Sequence, residues 1–167
     1  LGDVYKRQPK VVRECLYNDG AVRREAEDRG DYLMVLQVEE PVTVTIGSKG
    51  DMHFTPGYYI YVGSAKANLE KRIERHKRKR KQKHWHLDYL RSVSTVVAAL
   101  PIRSSSDLEC ELAKAMKEIS VDEVKGFGCS DCHCTSHLFK MDANPIHDER
   151  FMIEVVEHFR MNRLNEA

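Results

Sequence analysis

No apolar run approaches the ~18 residues that a membrane-spanning helix needs. A cleavable secretory leader is not visible either: the opening octapeptide, LGDVYKRQ, has no Met and no apolar centre. Internal repeats are missing, which excludes a solenoid or propeller. Low-complexity sequence is confined to one basic run. Cysteine is sparse and odd in number, five in all, with three inside Cys129–Cys134. Such a set does not build a disulfide framework, and it points to a reducing, cytoplasmic setting. Net charge is almost absent, at +1, so the global balance says nothing about partners.

What is present is a chain of 167 residues, 41% hydrophobic and 32% charged, enough for one soluble domain with a real core. Residues 1–8 read as an adapter-derived, non-native tail. Residues 9–29 read as a linker or the remnant of an upstream segment, 30–160 as a single domain, and 161–167 as a tail. Charge is local: nine of the thirteen residues Lys71–Lys83 are Lys or Arg, which leaves the remainder acidic on balance.

Tyr32–Val38 is a largely apolar run and reads as a buried central strand. Val42, Val44 and Ile46 alternate with threonines, giving a half-buried strand, and 47–51 reads as a turn. Tyr58–Val62 is a second buried strand, and Gly63-Ser64-Ala65 is expected to break it. Leu69, Ile73 and His76 then recur at helical spacing, with Arg72 on the edge of their stripe. His84–Leu90 reads as a helix with Leu87 and Leu90 inward. Thr95–Ile102 reads as a strand limited by Pro101. Ser104–Asp107 offers caps for a helix whose stripe is Leu108, Leu112, Ala115 and Ile119. Leu138-Phe139 is a short final strand, and 146–160 an amphipathic helix carrying Ile146, Phe151, Ile153, Val156 and Phe159.

Tyr61-Val62-Gly63, followed by Ser64-Ala65, Asn68-Leu69, Arg72 and His76, resembles the second half of the GIY-YIG nuclease motif. Gly30-Asp31-Tyr32 occupies the place of its Gly-Ile-Tyr half, with Asp where Ile is usual. The longer separation between the halves, with Pro56-Gly57-Tyr58-Tyr59, His84-Trp85-His86-Leu87-Asp88-Tyr89-Leu90 and Gly126-Phe127-Gly128-Cys129-Ser130-Asp131-Cys132, resembles one branch of that superfamily over about Gly30–Met141. That branch is a domain of uncertain function, common in archaea and sometimes fused to DNA-repair enzymes. The resemblance implies an α+β fold, a small central antiparallel or mixed sheet flanked by helices.

It also implies a reaction. Phosphodiester cleavage needs a deprotonated water, a stabilised phosphorane charge and a neutralised leaving oxygen, and a divalent cation serves one or more of these. By the resemblance Tyr32 is the general base and Tyr61 a positioning or proton-relay group. Arg72 binds the scissile phosphate, and His76 relays a proton or contacts phosphate. Glu109 holds Mg²⁺ or Mn²⁺. Periodicity alone does not separate Glu109 from Glu111, which flank the expected stripe equally. A packed helix histidine is the ordinary alternative for His76, and a solvated flank the ordinary one for the carboxylates. The expected partner is nucleic acid, DNA before RNA. It would be gripped by Lys66, Arg75, Lys77, Arg78, Lys79, Arg80, Lys81, Lys83, His84 and His86, in repair or recombination intermediates. Trp85 reads as core. Cys129, Cys132, Cys134 and His137 have the content of a zinc site, but only one knuckle is present, so buried or redox-capable thiols are the competing reading. Cys15 and Cys110 carry no signal. The competing function is a non-catalytic nucleic-acid-binding module that uses the same groove.

Overall fold

The computed structural model describes residues 28–129 and 133–161. The expected tail at 1–8, most of the 9–29 linker, Cys15, Cys132 and all but the first residue of the 161–167 tail lie outside them. β1 (Gly30–Val38) is buried along nearly its whole length. Successive strand residues point to opposite faces, and β1 is apolar on both. Tyr32, Met34, Leu36 and Val38 enter one core, and Leu33 and Val35 enter another. A strand of that kind needs a layer on each side and strands at both edges. β4 (Gly57–Ala65) and β5 (Thr95–Arg103) pair antiparallel with it on either side. β7 (Leu138–Met141) adds to β4, and the two-residue β6 (Asp122–Glu123) adds to β7. The result is a five-stranded antiparallel sheet of order β5-β1-β4-β7-β6, in the α+β class the sequence led us to expect.

The Tyr32 face is covered by α1 (Leu69–Lys77), α2 (His86–Arg91) and the hairpin β2 (Val42–Thr45)–β3 (Asp51–Phe54). The other face is covered by α3 (Glu109–Ile119) and α4 (Arg150–Glu157). Leu69, Ile73 and His76 are the buried residues of α1, and Leu87 and Leu90 are buried in α2, as their spacing required.

Several local expectations are corrected. Gly63 does not break β4, which continues to Ala65 in register with Gly30. It is a close-approach glycine, since a methyl group there would overlap the Tyr32 ring. Pro101 does not limit β5, which runs on to Arg103. β5 is an edge strand, where a missing N–H donor is tolerated, and the Pro101 carbonyl accepts from Arg160 Nε and Nη2 at 3.0 and 2.8 Å. The cap position of α3 is Leu108, while the Asp107 carboxylate accepts from the Glu109 amide at 3.2 Å. The buried stripe of α3 is Leu112, Ala113 and Met116, one step from the expected set. α4 is π-helical, which turns Phe151, Val155 and Val156 inward and leaves Ile153 about half exposed, at 49%. β6 had no signal in the sequence.

Candidate active site

The register of β1 and β4 places Tyr32 opposite Gly63, and Tyr61 two residues earlier on the same face. Their ring centroids lie 6.3 Å apart. His76, on the last turn of α1, packs against both rings, and its Nε2 is 2.9 Å from the Tyr32 hydroxyl. Behind it, Nδ1 stands 3.6 Å from Asp88 Oδ1. With the imidazole proton on Nδ1, facing that carboxylate, Nε2 accepts from Tyr32.

Arg72 reaches the same place from one turn earlier on α1. Its Nη1 donates to the Ser64 carbonyl at 2.8 Å, and its guanidinium stacks 5.1 Å from the centroid of the Trp85 ring. Glu109 arrives from the opposite side of the sheet as the first residue of α3. Ser64 Oγ donates to its Oε2 at 2.5 Å, and His137 Nδ1 lies 2.6 Å from its Oε1. Ser64 therefore ties the arginine and the carboxylate together, one through its carbonyl and the other through its hydroxyl. Gly128, in the left-handed region at φ 73°, lets the loop pass close to Tyr61 Cε1 and His137 Cβ. Its N–H donates to His86 Nδ1 at 3.0 Å. Tyr32, Tyr61, Ser64, Arg72 and Glu109 line one open cleft of about 640 Å³, with Lys66, Asn68, His84, Trp85, His86 and Gly128 around them.

The electrostatics are uneven. Burial pushes the Tyr32 phenol well above its usual range, and burial with the nearby Glu109 charge pushes Tyr61 up as well. Both are protonated at neutral pH. Burial lowers His76 below the ordinary histidine value, so it is a neutral acceptor there. For Glu109, burial raises the carboxyl, but hydrogen bonding from His137 and Ser64 and the charge of Arg72 outweigh that. The carboxyl is held below its usual range and stays ionised.

The sequence-derived set Tyr32, Tyr61, Arg72, His76 and Glu109 is thus brought together, with His76 one layer behind the cleft wall. The cation set divides. Lys66, Lys77, Arg78, Lys79, Arg80, Lys83 and His84 are exposed. Arg75 and Lys81 instead serve the fold. Arg75 forks onto both oxygens of buried Asp88 at 3.1 Å, and Lys81 Nζ donates to the carbonyls of Arg75 and His76 at 2.9 Å each. Trp85 is half-buried in the cleft wall, not core. Three participants were missed as site residues. Ser64 stood inside the motif without a role. Asp88 was hidden in an apolar-looking helix. His137 was assigned to the cysteine loop.

The cysteine loop itself is rearranged. Among the described residues, the side-chain N and S atoms of Cys134, His137 and Cys110 of α3 lie within 4.8 Å of one another, and Cys129 is not part of that group. Cys129 Sγ donates to the Phe127 carbonyl at 3.2 Å. Cys110 carried no sequence signal because nothing local announces that α3 packs beside the loop. Among the described residues, no helix is long and apolar enough to cross a membrane.

The family model described as domain of unknown function DUF123 matches residues 31–161. No curated protein and no solved structure matches the chain.

Proposed function

Since the chain belongs to the DUF123 family, whose description assigns no activity, we propose from the site alone that it is a metal-dependent endonuclease of the GIY-YIG kind, hydrolysing phosphodiester bonds in DNA. The observation that carries this is the convergence of two phenols, a guanidinium and an ionised carboxylate on one open cleft. Two of these arrive from strands and one from a helix on the same face, while the carboxylate comes round from the other face.

The division of labour follows from the protonation states. Tyr32 cannot ionise unaided at neutral pH, but it hands its own proton to His76 Nε2 as it takes one from the attacking water. The imidazolium that forms is stabilised by Asp88 3.6 Å away. Arg72 meets the non-bridging phosphate oxygens and counters the charge that grows on them. Tyr61, protonated, donates to phosphate and fixes its position. Glu109 fits Mg²⁺ or Mn²⁺. It is an ionised oxygen ligand on an open cleft with room for the waters such cations retain. When bound, the cation supplies charge stabilisation at the phosphate and the leaving oxygen. Lys66 and His84 flank the entrance, where a strand would lie.

One observation favours the second reading, a non-catalytic nucleic-acid-binding module. Ser64 Oγ already donates to Glu109 Oε2, and His137 Nδ1 lies 2.6 Å from Oε1, which leaves less of the carboxylate open to a metal. Purified full chain incubated with branched, nicked and single-stranded DNA in Mg²⁺ or Mn²⁺ separates the two. Cleavage that is lost in Arg72→Ala and in Glu109→Ala, and reduced roughly 10²–10⁴-fold in Tyr32→Phe, is the expected result. Salt-sensitive binding without nicking by the unaltered protein selects the second reading.

A further inference from the structure

We infer that Cys110, Cys134 and His137 form a site for a thiophilic divalent cation, zinc by class. One histidine joins this site to the Glu109 carboxylate. The three candidate ligand atoms lie within 4.8 Å of one another, wider at most than the roughly 3.3–3.8 Å edges of a tetrahedral site with bonds of about 2.0–2.3 Å, so a small inward turn of the thiols closes the set on one ion. They come from two separate elements. Cys110 is the second residue of α3, and Cys134 and His137 precede β7, so the site forms only in the folded chain.

His137 is held in place by its own backbone. Its amide donates to the Phe127 carbonyl and its carbonyl accepts from the Val62 amide, both at 2.9 Å. Metal-bound histidines commonly set their second nitrogen against a carboxylate, and a carboxylate stands beside this ring. Nδ1 lies 2.6 Å from Glu109 Oε1, which assigns Nε2 to the cation. Both thiols open on a cavity of about 230 Å³ that His133, Lys114 and Lys117 also line. Two thiolates neutralise a divalent ion. Two sulfurs and one imidazole select a soft or borderline ion such as zinc over magnesium. Water from the adjoining cavity would complete the set. The consequence is directional. An ion on Nε2 fixes the proton on Nδ1 and so holds Glu109 as a hydrogen-bonded carboxylate. Only that last consequence depends on the nuclease reading.

The test uses the full chain, stripped of metal under reducing conditions and titrated with Co²⁺, then competed with Zn²⁺. One cobalt per chain with thiolate charge-transfer and tetrahedral visible bands is expected, displaced by zinc. C110S and C134S should each weaken binding at least tenfold. C129S should leave the spectrum unchanged, and E109Q should weaken binding about 10–100-fold as a lost support of the histidine. R72A should abolish cleavage yet keep the cobalt spectrum, so failure of the nuclease reading leaves this one standing. In unaltered protein, zinc should protect Cys110 and Cys134 from alkylation, which removes any question of a variant's folding. Cobalt bands that survive C110S but vanish in C129S overturn the site. So does a Cys110 that alkylates equally with and without zinc.

Discussion

Tyr32 presses its ring so close to Gly63 that position 63 has no room for a side chain. A methyl group there would come within 2.7 Å of Cε2 and closer still to Cζ and the hydroxyl. Tyr32 cannot give way cheaply, because its hydroxyl is fixed on His76. Gly63→Ala is therefore expected to cost about 1–3 kcal/mol in urea denaturation. It should also break the Tyr32–His76 contact, lowering cleavage by more than the stability loss explains. His76 gives a prediction of opposite character. Its lowered pKa keeps it neutral, hence able to accept the Tyr32 proton, below the ordinary histidine value of about 6.5. The acid limb of the pH–rate profile should fall below that value, with activity lost as pH drops through it. In His76→Gln the rate should fall and the limb should vanish. A limb at or above 6.5 in the unaltered protein would remove His76 as the proton acceptor.

Between elements, the decisive contact is the packing of α1 against α2 through Asp88. This buried carboxylate accepts from Arg75 and from the amides of His84 and Trp85 at 2.8 and 3.0 Å, with Lys81 Nζ 3.5 Å away. Burial alone would raise its pKa. The contacts from His76 and Arg75 and from the two amides override that and hold it well below the carboxylate range. Asp88→Ala leaves Arg75 and Lys81 without their counter-charge and should destabilise by about 3–5 kcal/mol. A carboxyl whose pKa is depressed on folding contributes fully above its unfolded value of about 4, and the contribution fades as pH falls below it. The gap between Asp88→Ala and the unaltered protein in urea titrations should thus be constant from pH 7 to 5 and narrow below pH 4. At this scale the sequence was legible wherever one helix or strand carried its own periodicity, as in β1 and α1. It was less legible where two elements share a boundary. In α3 the apolar letters allow two stripes, and only packing against β4 and α4 selects Leu112, Ala113 and Met116. On that stripe Glu109 is the inward residue one turn earlier, three positions before Leu112. Periodicity left Glu109 and Glu111 equal and the resemblance alone pointed to Glu109; of the two, Glu109 is the one that lines the cleft. Asp88 and Cys110 were illegible because their partners come from other elements.

Across the whole molecule the positive field is smaller than the sequence count of nine suggested. Arg72 faces the cleft, and Arg75 and Lys81 are spent inside the fold, which leaves Lys71, Lys77, Arg78, Lys79, Arg80 and Lys83 exposed around the end of α1. Lys77 is further engaged by Glu74 at 3.1 Å. The consecutive trio Arg78, Lys79 and Arg80 forms the concentrated part of the patch, and Lys66 stands at the cleft entrance. Each phosphate neutralised on duplex DNA contributes about −0.9 to the slope of log K against log salt. Replacing the trio with glutamine should therefore flatten that slope by about 2–3 in fluorescence anisotropy, with little change in thermal stability, since exposed charges contribute little to folding. Lys81→Gln should do the reverse. Its side chain is 5% exposed and donates to two carbonyls at the end of α1, so the loss should appear as a lower melting temperature with the salt slope nearly intact. If instead Lys81→Gln flattens the slope and the trio does not, the nucleic acid runs over a different face from the cleft, and Arg72 has no phosphate to meet.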